Sequence, residues 1–445
     1  MTVHDKKASI VAVMMGMGHL RAAYPLIHIA DNGIIVYGSE RDASAKEYKV
    51  WRKFRTSYYF FSRAGEIPFI GNILLRIMLL IQCIEPYYPH RDHSRPNLSV
   101  NYLDHQIKSK GLCNGLIEKL AQKKIPAIHT YFLTAIAADK VQVNSGINYL
   151  LICDSDFNRV WVPKNPQKSN LLYLAPCTQV KRRLISYGVA AKNIFLTGFP
   201  LPKENTGTET GLEILKSDLL SRLKRLDPSG RFLNIHEKSV KHWLNSDYVP
   251  GSDCFTVTFA IGGAGAQTDL ALTILKSLGE KIREGTIKFI LSVGIQKRIF
   301  EKVLNCINGL HLQDEIDKGL KIVFDADPFV YLDKFNSCLR TTDVLWTKPS
   351  ELVFYSGLGL PILMAPPIGT HEELNKRWLQ EIHAGVKEAG PPECCDEWLF
   401  DLRESGRLAE AAWDGFLKVR KLGTYKIEHL INNGTFDDGR TLIEQ

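Results

Sequence analysis

Two stretches of this chain decide its fold, and both have the form of an apolar run followed by a glycine-rich turn. Residues 10–13 lead into Gly16-Met17-Gly18-His19, and residues 255–261 lead into Gly262-Gly263-Ala264-Gly265-Ala266-Gln267. Each stretch is typical of a strand, a turn and the start of a helix. Glycines let the backbone approach a ligand closely, and a helix start directs N–H groups at an anion. The repeated unit predicts two nucleotide-binding folds that face each other across one ligand cleft.

The length and composition bound the architecture. The chain has 445 residues, which exceeds one ordinary domain, and its 45% hydrophobic and 23% charged residues are typical of a soluble globular protein. We expect an amino-terminal domain over 1–202, a linker with an inserted helix over 203–250, a carboxy-terminal domain over 251–392, and a helical tail over 393–445 that packs across the domains.

Apolar runs without clean polar–apolar alternation recur in both halves, separated by helical stretches. This pattern favours parallel sheets that are covered on both faces. The predicted strands cover 10–14, 34–37, 127–130, 148–153, 171–174 and 194–196, then 255–261, 288–293, 321–324, 344–346 and 362–365. The predicted fold class is therefore α/β, with two Rossmann-like, doubly wound parallel-sheet domains.

Net charge and cysteine content limit the partners and the compartment. The formal net charge of +8 fits either a solvated basic surface or an anionic partner, such as a phosphorylated ligand, a membrane or nucleic acid. The nine cysteines show no zinc-binding spacing, so we expect no metal site. No secretory signal is recognised, and the cysteine usage fits a reducing cytosol. We expect a cytoplasmic protein.

One apolar segment, 67–84, is close to the length of a membrane span. Asn72, Arg76 and Gln82 interrupt it, so a buried or interfacial helix fits better than a span. Tyrosines and arginines flank it, as they flank helices that lie on a membrane surface. A helix that covers the sheet of its own domain fits equally well.

His19 stands where the first glycine turn becomes a helix. That turn is not a dinucleotide fingerprint, because Arg21 occupies the third glycine position. A histidine here can bind a substrate hydroxyl or act as a general base, or it can only cap or pack the helix. Asp154 follows the predicted strand 148–153, at the edge where open α/β sheets bind ligands. It is either a functional carboxylate or a turn residue.

The second glycine turn, 262–267, predicts a phosphate-binding loop. It lacks the Gly-Lys-Ser/Thr of a P-loop, which excludes that machinery, and a tight packing turn is the alternative. Further along, Ser350 can cap a helix that Glu351 starts. Thr370-His371-Glu372-Glu373-Leu374-Asn375 opens another helix. Its carboxylates and amide suit sugar hydroxyls, although the two glutamates also suit the positive end of a helix.

Together these motifs resemble those of glycosyltransferases with two Rossmann-like domains, the GT-B fold. The pattern is similar to monogalactosyldiacylglycerol synthases, processive diacylglycerol glucosyltransferases and the N-acetylglucosaminyltransferase that makes lipid II. The matching elements are the acceptor-side loop Gly16-x-Gly18-His19, the run 153–161 that is similar to Thr-Asp-(x)3-His-(x)2-Trp, Thr197-Gly198-Phe199-Pro200, the donor-phosphate loop Gly262-Gly263-Ala264-Gly265-Ala266, Thr347-Lys348-Pro349 with Gly359-Leu360-Pro361, and Glu372-Glu373-x-Asn375.

The resemblance implies an inverting sugar transfer from a nucleotide sugar, usually a UDP-sugar, to a lipid or other hydrophobic acceptor. It implies no strict need for a metal. We expect no tightly bound cofactor, no nucleic-acid partner, and a place in the cytoplasm or on the inner face of the membrane. The implied base is His19 or Asp154, beside the acceptor-side residues Gly16, Gly18 and Asn158. The implied donor contacts are the second glycine turn, 262–267, for the diphosphate, and Phe324, Lys348, Ser350, Glu351, His371, Glu372, Glu373 and Asn375 for the nucleoside and sugar.

Two positions depart from the family pattern. Phe354 stands where the family usually has its ribose-binding glutamate, and Glu351, about one turn earlier, is the candidate substitute. Asn158 replaces the histidine of the run 153–161 and cannot titrate near neutral pH. Two other functions stay open on this fold: a nucleotide-sugar 2-epimerase, and a non-catalytic protein that binds sugar nucleotides.

Overall fold

The computed structural model describes residues 7–38, 47–49, 51–52, 56, 84–141, 147–246, 249–251, 254–263 and 265–436. These residues form two compact units. The first unit comprises the described residues of Met1–Leu201, Gly369–Leu374 and Leu422–Gln445, and the second those of Pro202–Ile368 and Asn375–Lys421. Within the described ranges, no helix has the length and apolar character that a membrane span needs. Apart from Ile84, the apolar segment 67–84 lies outside the described residues.

The first unit contains a six-stranded parallel sheet. Its strands are β1 (Ala8–Val13), β2 (Ala30–Tyr37), β3 (Ala127–His129), β4 (Asn148–Leu151), β5 (Leu172–Leu174) and β6 (Ile194–Phe195). They lie in the order β2-β1-β3-β4-β5-β6, and Val11 of β1 pairs with both Ile35 and His129. Every residue of β1 is buried, as expected of a central strand in a covered parallel sheet. The winding direction reverses between β1 and β3, which is the switch point of this sheet.

Helices connect these strands. They are α1 (Gly18–Ala23), α2 (Leu98–Lys110), α3 (Asn114–Ala121), α4 (Phe132–Val141) and α5 (Thr178–Ser186), with short 3-10 helices at Tyr24–Ile29, Arg159–Trp161, Pro166–Lys168 and Ala191–Asn193. The start and end of α2 follow from local chemistry. The Asn97 side chain accepts the Val100 N–H at 2.9 Å, a side-chain cap, and Gly111 ends the helix in the left-handed conformation.

The second unit contains another six-stranded parallel sheet. Its strands are β7 (Phe255–Ala260), β8 (Ile287–Gly294), β9 (Leu320–Phe324), β10 (Val344–Thr347), β11 (Ile362–Met364) and β12 (Gly385–Lys387). They lie in the order β12-β11-β10-β7-β8-β9, and Ala260 pairs with Thr347 on one side and Ser292 on the other. The switch point of this sheet therefore lies between β7 and β10. The predicted fold class, two doubly wound parallel sheets, is confirmed.

The helices of the second unit include several that the sequence patterns did not predict, α8 among them. They are α6 (Lys203–Thr206), α7 (Glu213–Leu226), α8 (Arg231–Leu244), α9 (Thr268–Arg283), α10 (Lys297–Gly309), α11 (Pro328–Leu339), α12 (Thr370–Glu381), α13 (Cys395–Glu404) and α14 (Arg407–Lys418), with 3-10 helices at Gln313–Glu315, Glu351–Leu358 and Pro392–Cys394. Residues 370–374 of α12 are grouped with the first unit. The spacing of its apolar positions explains α9, which buries Ile274, Leu278 and Ile282 along one side.

The described residues of the segment 203–250 are grouped with the second unit. Arg222 of α7 is buried and donates to the carbonyl oxygens of Thr342 at 2.9 Å and Leu358 at 2.9 Å. Burial lowers the pKa of Arg222 to about 10. Arg225 pairs with the buried Asp343 at 2.7 Å. These contacts fix α7 to the sheet, because a buried guanidinium is stable only when its donors are satisfied.

The carboxy-terminal tail is helical and divides between the units. Helices α13 and α14 belong to the second unit, and α15 (Gly423–Asn433) belongs to the first. A Cβ on Gly423 would stand 2.2 Å from the Phe199 carbonyl oxygen, so only glycine fits there. The Thr424 hydroxyl donates to the Leu201 carbonyl oxygen at 2.5 Å. The start of α15 is thereby anchored to the chain that follows β6.

Candidate functional site

The second glycine turn follows β7 at the switch point of its sheet. Gly262 and Gly265 have φ angles of +83° and +73°, which favour glycine over other residues. The Gly265 N–H donates to the Gly262 carbonyl oxygen at 3.1 Å, which closes the turn. Helix α9 then begins at Thr268 without a side-chain cap. Of the predicted loop residues, Ala266 is half-buried, and Ala264 lies outside the described residues.

Lys348 joins this turn from the neighbouring strand. It follows β10, which pairs with β7, and a Cβ built on Gly262 would stand 3.3 Å from Lys348 Cε. The lysine stem therefore passes over the glycine at the switch point, where open α/β sheets bind their ligands. A positive charge beside an open backbone turn and a helix start favours an anion.

Two glutamines hold the turn in place. The Gln267 amide donates to the Pro366 carbonyl oxygen at 3.1 Å, just after β11. Gln296, which precedes α10, donates to the Gly263 carbonyl oxygen at 2.5 Å. Gln296 was not among the predicted site residues, although its position just past the end of β8 could have indicated it. In both contacts a glutamine side-chain amide donates to a backbone carbonyl oxygen. These bonds hold the loop in one conformation before a ligand binds.

Ser350 and Glu351 follow Lys348. Glu351 begins a 3-10 helix, and the Ser350 side chain makes no capping hydrogen bond to it. The prediction that Ser350 caps this helix is therefore wrong. The Ser350 N–H instead donates to the Lys348 carbonyl oxygen at 2.8 Å. Glu351 is buried. Phe354 is fully buried and its ring centroid lies 5.1 Å from that of Trp378, so this position serves packing.

Phe324 ends β9 at the same edge of the sheet, two strands away from β7. Its half-buried ring stacks on Phe300 of α10, with centroids 4.5 Å apart and planes inclined by 13°. This offset stacking covers one face of the ring. The predicted contact of Phe324 with a nucleoside is thus limited to its other face or its edge.

The predicted sugar-binding residues lie in the first two turns of α12. Glu372 is buried at 2% exposure, whereas Glu373 is exposed. His371 Nε2 lies 3.8 Å from Glu372 Oε1. Asn375 is fully buried and its amide donates to the Pro349 carbonyl oxygen at 3.1 Å. That contact joins Asn375 to the loop that carries Lys348.

The first glycine turn follows β1 at the switch point of the other sheet. Gly16 has a φ of +80°, and a Cβ there would meet no atom within 4 Å, so the backbone borders open space. Gly18 begins α1 and does not need a positive φ. His19 is the second residue of α1 and is half-buried.

An aromatic cluster surrounds His19. Its ring lies 5.1 Å from that of Tyr131, edge to face, and 6.3 Å from that of Trp161. Tyr131 comes just after β3, so these two residues meet at the switch point. Cys153 Sγ, which follows β4, lies 3.8 Å from His19 Nδ1. Tyr131 was missed in the sequence, yet its position beyond a predicted strand could have indicated it.

The loop after β4 carries the predicted site residues Asp154 and Asn158, with Asp156 between them. Asp154 is half-buried. Asp156 is buried and accepts two hydrogen bonds of 2.7 Å from the equally buried Arg183, so its role is structural. Asn158, half-buried, precedes the 3-10 helix Arg159–Trp161 without capping it.

A second histidine lies close by and has a different character. His129 ends β3 and is fully buried, with Nδ1 3.1 Å from the Thr134 hydroxyl and Nε2 3.4 Å from Asn148 Oδ1. Burial lowers the pKa of His129 to about 4. It is therefore neutral at physiological pH and packs the sheet. Within the described part of the chain, no group of three or more His, Cys, Asp or Glu side chains is arranged to hold a metal ion.

A family model for a domain of unknown function, DUF6938, matches residues 253–428. No curated protein matches the chain. The matched residues include the second glycine turn and Lys348.

Three solved structures illustrate the structural similarity. MnaA of S. aureus, in a co-structure with UDP, is 12% identical with a TM-score of 0.46, over 96% of both chains. MurG of Acinetobacter baumannii is 14% identical with a TM-score of 0.42, over 84% of this chain and 95% of its own. The UDP-GlcNAc 2-epimerase of Neisseria meningitidis, bound to UDP-GlcNAc, is 12% identical with a TM-score of 0.42, over 96% and 100%. Such low identities and TM-scores assign no activity to this chain.

Proposed function

We propose that this chain is an inverting glycosyltransferase that moves a sugar from a UDP-sugar to a hydroxyl of a lipid or other hydrophobic acceptor. The observation that carries the proposal is the position of Lys348 over Gly262 at the switch point of the second sheet. This pair offers a cation and an open backbone turn to the diphosphate of the donor.

Three groups at this turn favour the same negative charge. Lys348 supplies a positive charge on a flexible stem. Gly262 and Gly265 leave the backbone open to close approach. Helix α9, 16 residues long and without a side-chain cap, adds the partial positive charge of its first turn. Since the diphosphate gains charge as the sugar leaves, the same groups would stabilise the transition state.

The segment after Lys348 and helix α12 offer groups for the rest of the donor. Glu351, which begins the 3-10 helix after Lys348, is the proposed partner of the ribose hydroxyls in place of Phe354, which is occupied by packing. Asn375 and Glu372, three positions apart on α12, are the proposed partners of the sugar hydroxyls. Carboxylates and amides accept and donate the hydrogen bonds that such hydroxyls make.

We assign the acceptor side to the first glycine turn. His19 is half-buried beside the apolar rings of Tyr131 and Trp161, which favours a hydrophobic acceptor. In the proposed reaction, His19 or Asp154 removes the proton of the acceptor hydroxyl. The acceptor oxygen then bonds to the anomeric carbon, and the bond from that carbon to the diphosphate breaks. UDP leaves with the electron pair, and the configuration of the sugar inverts.

The first test is calorimetry with UDP, UMP and a set of UDP-sugars, followed by an assay of UDP release with and without diacylglycerol. We expect UDP to bind more tightly than UMP, because the second phosphate would contact Lys348, and we expect acceptor-dependent UDP release. Conversion of one UDP-sugar into its epimer without an acceptor would favour the epimerase. Binding without any turnover would favour a non-catalytic protein, and no heat with UDP would contradict all three functions.

A further inference from the structure

A cavity of about 240 Å³ lies in the first unit, between the chain segment 87–93 and the carboxy-terminal half of α5. The His93 N–H donates to the Ser186 carbonyl oxygen at 3.0 Å and joins the two walls. The polar side chains that line it include those of Tyr87, His90, Arg91, His93, Arg182 and Arg183. We name this space the basic cavity.

The basic cavity carries an excess of positive charge. Among the described residues that line it, three are arginines, two are histidines and none is a carboxylate. Asp156 neutralises one of the arginines, Arg183. Asp92 lies nearby and accepts the Ser94 N–H at 2.9 Å. Arg91 and Arg182 are exposed, so their guanidinium groups remain available to an anion from solvent.

Arg183 adds an observation that points to a ligand. Its side chain is 2% exposed, and its Nε and Nη2 atoms each lie 2.7 Å from Asp156. Its Nη1 atom is also buried, yet it has no hydrogen-bond partner among the described residues. His93 Nε2 is buried and unpartnered in the same way. Buried polar atoms of this kind normally have partners. Arg183 Nη1 can donate to an acceptor inside the cavity, and His93 Nε2 can do so when it carries a hydrogen.

None of the proposed donor or acceptor residues is among the described residues that line the basic cavity. The cavity lies against Arg182, Arg183 and Ser186, in the last turn and a half of α5. Arg183 also pairs with Asp156 of the loop after β4, so the cavity borders the loop that carries Asp154 without including that residue. The cavity is therefore a space of its own in the first unit.

From this geometry we propose that the basic cavity binds the phosphate group of a phosphate ester. The oxygens of a tetrahedral phosphate can accept hydrogen bonds from several converging guanidinium groups at once. A carboxylate has only two oxygens and satisfies fewer of these donors. The surroundings suit an ester with an apolar part, since Ile185 at 47% and Tyr88 at 63% exposure border the same region. In the sequence, the apolar segment 67–84 ends three positions before Tyr87. The ester is thus either a soluble organic phosphate or the headgroup of a phospholipid.

The test uses the full chain and three probes. Glycerol 3-phosphate is titrated by calorimetry, and flotation measures binding to phosphatidylcholine vesicles that contain either phosphatidic acid or oleate at matched surface charge. The variant Arg91→Gln/Arg182→Gln removes two exposed arginines of the cavity. The control Lys124→Gln/Lys192→Gln removes two exposed positive charges elsewhere in the same unit. Circular dichroism and thermal unfolding report whether each variant is folded.

We expect the arginine variant to bind phosphate at least about tenfold more weakly, because charge-assisted hydrogen bonds are lost, and the lysine control to bind like the wild type. Binding of glycerol 3-phosphate would identify a soluble ester. Binding only to phosphatidic acid vesicles, with the same dependence on the arginines, would identify a headgroup. Binding of neither probe, equal loss in both variants, or equal binding to oleate vesicles would overturn the proposal.

Discussion

Lys348 Cε lies 3.3 Å from the point where a Cβ on Gly262 would stand. The two residues belong to loops that follow β10 and β7, and the pairing of these strands brings the loops together. Gly262 keeps a φ of +83° that only glycine adopts readily, and its missing side chain leaves room for the lysine. The proposed diphosphate site depends on this contact.

Gly262→Ala should weaken UDP binding by about tenfold. The new methyl group would displace the Lys348 stem and impose a backbone strain of about 1 kcal/mol. A tenfold rise in the Kd for UDP is the change expected when one favourable contact is lost. Calorimetry with UDP measures the effect. Gly285→Ala is the matched control, since Gly285 also has a positive φ but no atom within 4 Å of its Cβ position. Equal UDP affinity in the two variants would remove Gly262 from the site.

Strand positions could be predicted because buried apolar runs mark them directly. The run that ends at Ile261 locates β7 to within one residue, and the glycines after it locate the turn. Strand β12 could not be found, because Gly385 and Lys387 give no apolar run and only pairing with β11 makes them a strand. Helix α8 was missed because it begins after a left-handed Gly230, and the side chain that accepts its first N–H groups is Asp227, three residues before that glycine.

The site was predictable only in part, for a related reason. Sequence position indicates which residues follow a strand, as it does for His19, Asp154 and Lys348. It does not indicate strand order, so the contact of Lys348 with Gly262 could not be predicted. The pairing of Asp156 with Arg183 likewise depends on how α5 packs. Because of this pairing Asp156 has a structural role, whereas Asp154, two residues earlier, stays a candidate base.

His19→Asn should lower sugar transfer by between about 10²- and 10⁴-fold, the usual contribution of a general base, while UDP affinity stays nearly unchanged. Asparagine keeps a polar group but cannot take the proton. UDP release with acceptor and calorimetry with UDP give the two readouts. His105→Asn, at an exposed position on α2, is the control. A large loss of UDP affinity in His19→Asn would show that His19 contacts the donor.

Glu372→Gln should weaken the binding of UDP-sugars by about tenfold and leave UDP binding nearly unchanged. A buried carboxylate that accepts a sugar hydroxyl makes a charge-assisted hydrogen bond, which the amide replaces with a weaker one. Glu373→Gln is the comparison on the same turn, and its exposed side chain should give a smaller change. If Glu372→Gln weakened UDP and UDP-sugars equally, Glu372 would not contact the sugar.

His129 should make the first unit less stable in acid. Burial lowers the pKa of His129 to about 4, whereas the unfolded chain takes up the proton near pH 6.5. The stabilisation is complete above pH 6.5 and is lost as the pH falls toward 4, with a total of about 3 kcal/mol. The free energy of unfolding, measured with urea, should differ less between pH 7 and pH 5 in His129→Gln than in the wild type. The exposed His242→Gln should leave the difference unchanged, and an unchanged difference in His129→Gln would contradict the assignment.

The most direct measurement is the affinity of Lys348→Gln for UDP and for uridine, compared with Lys318→Gln, which removes an exposed charge elsewhere in the same unit. If Lys348 holds the diphosphate, its loss should raise the Kd for UDP by at least about tenfold and leave uridine binding unchanged, while Lys318→Gln behaves like the wild type. An unchanged Kd for UDP in Lys348→Gln would contradict the account.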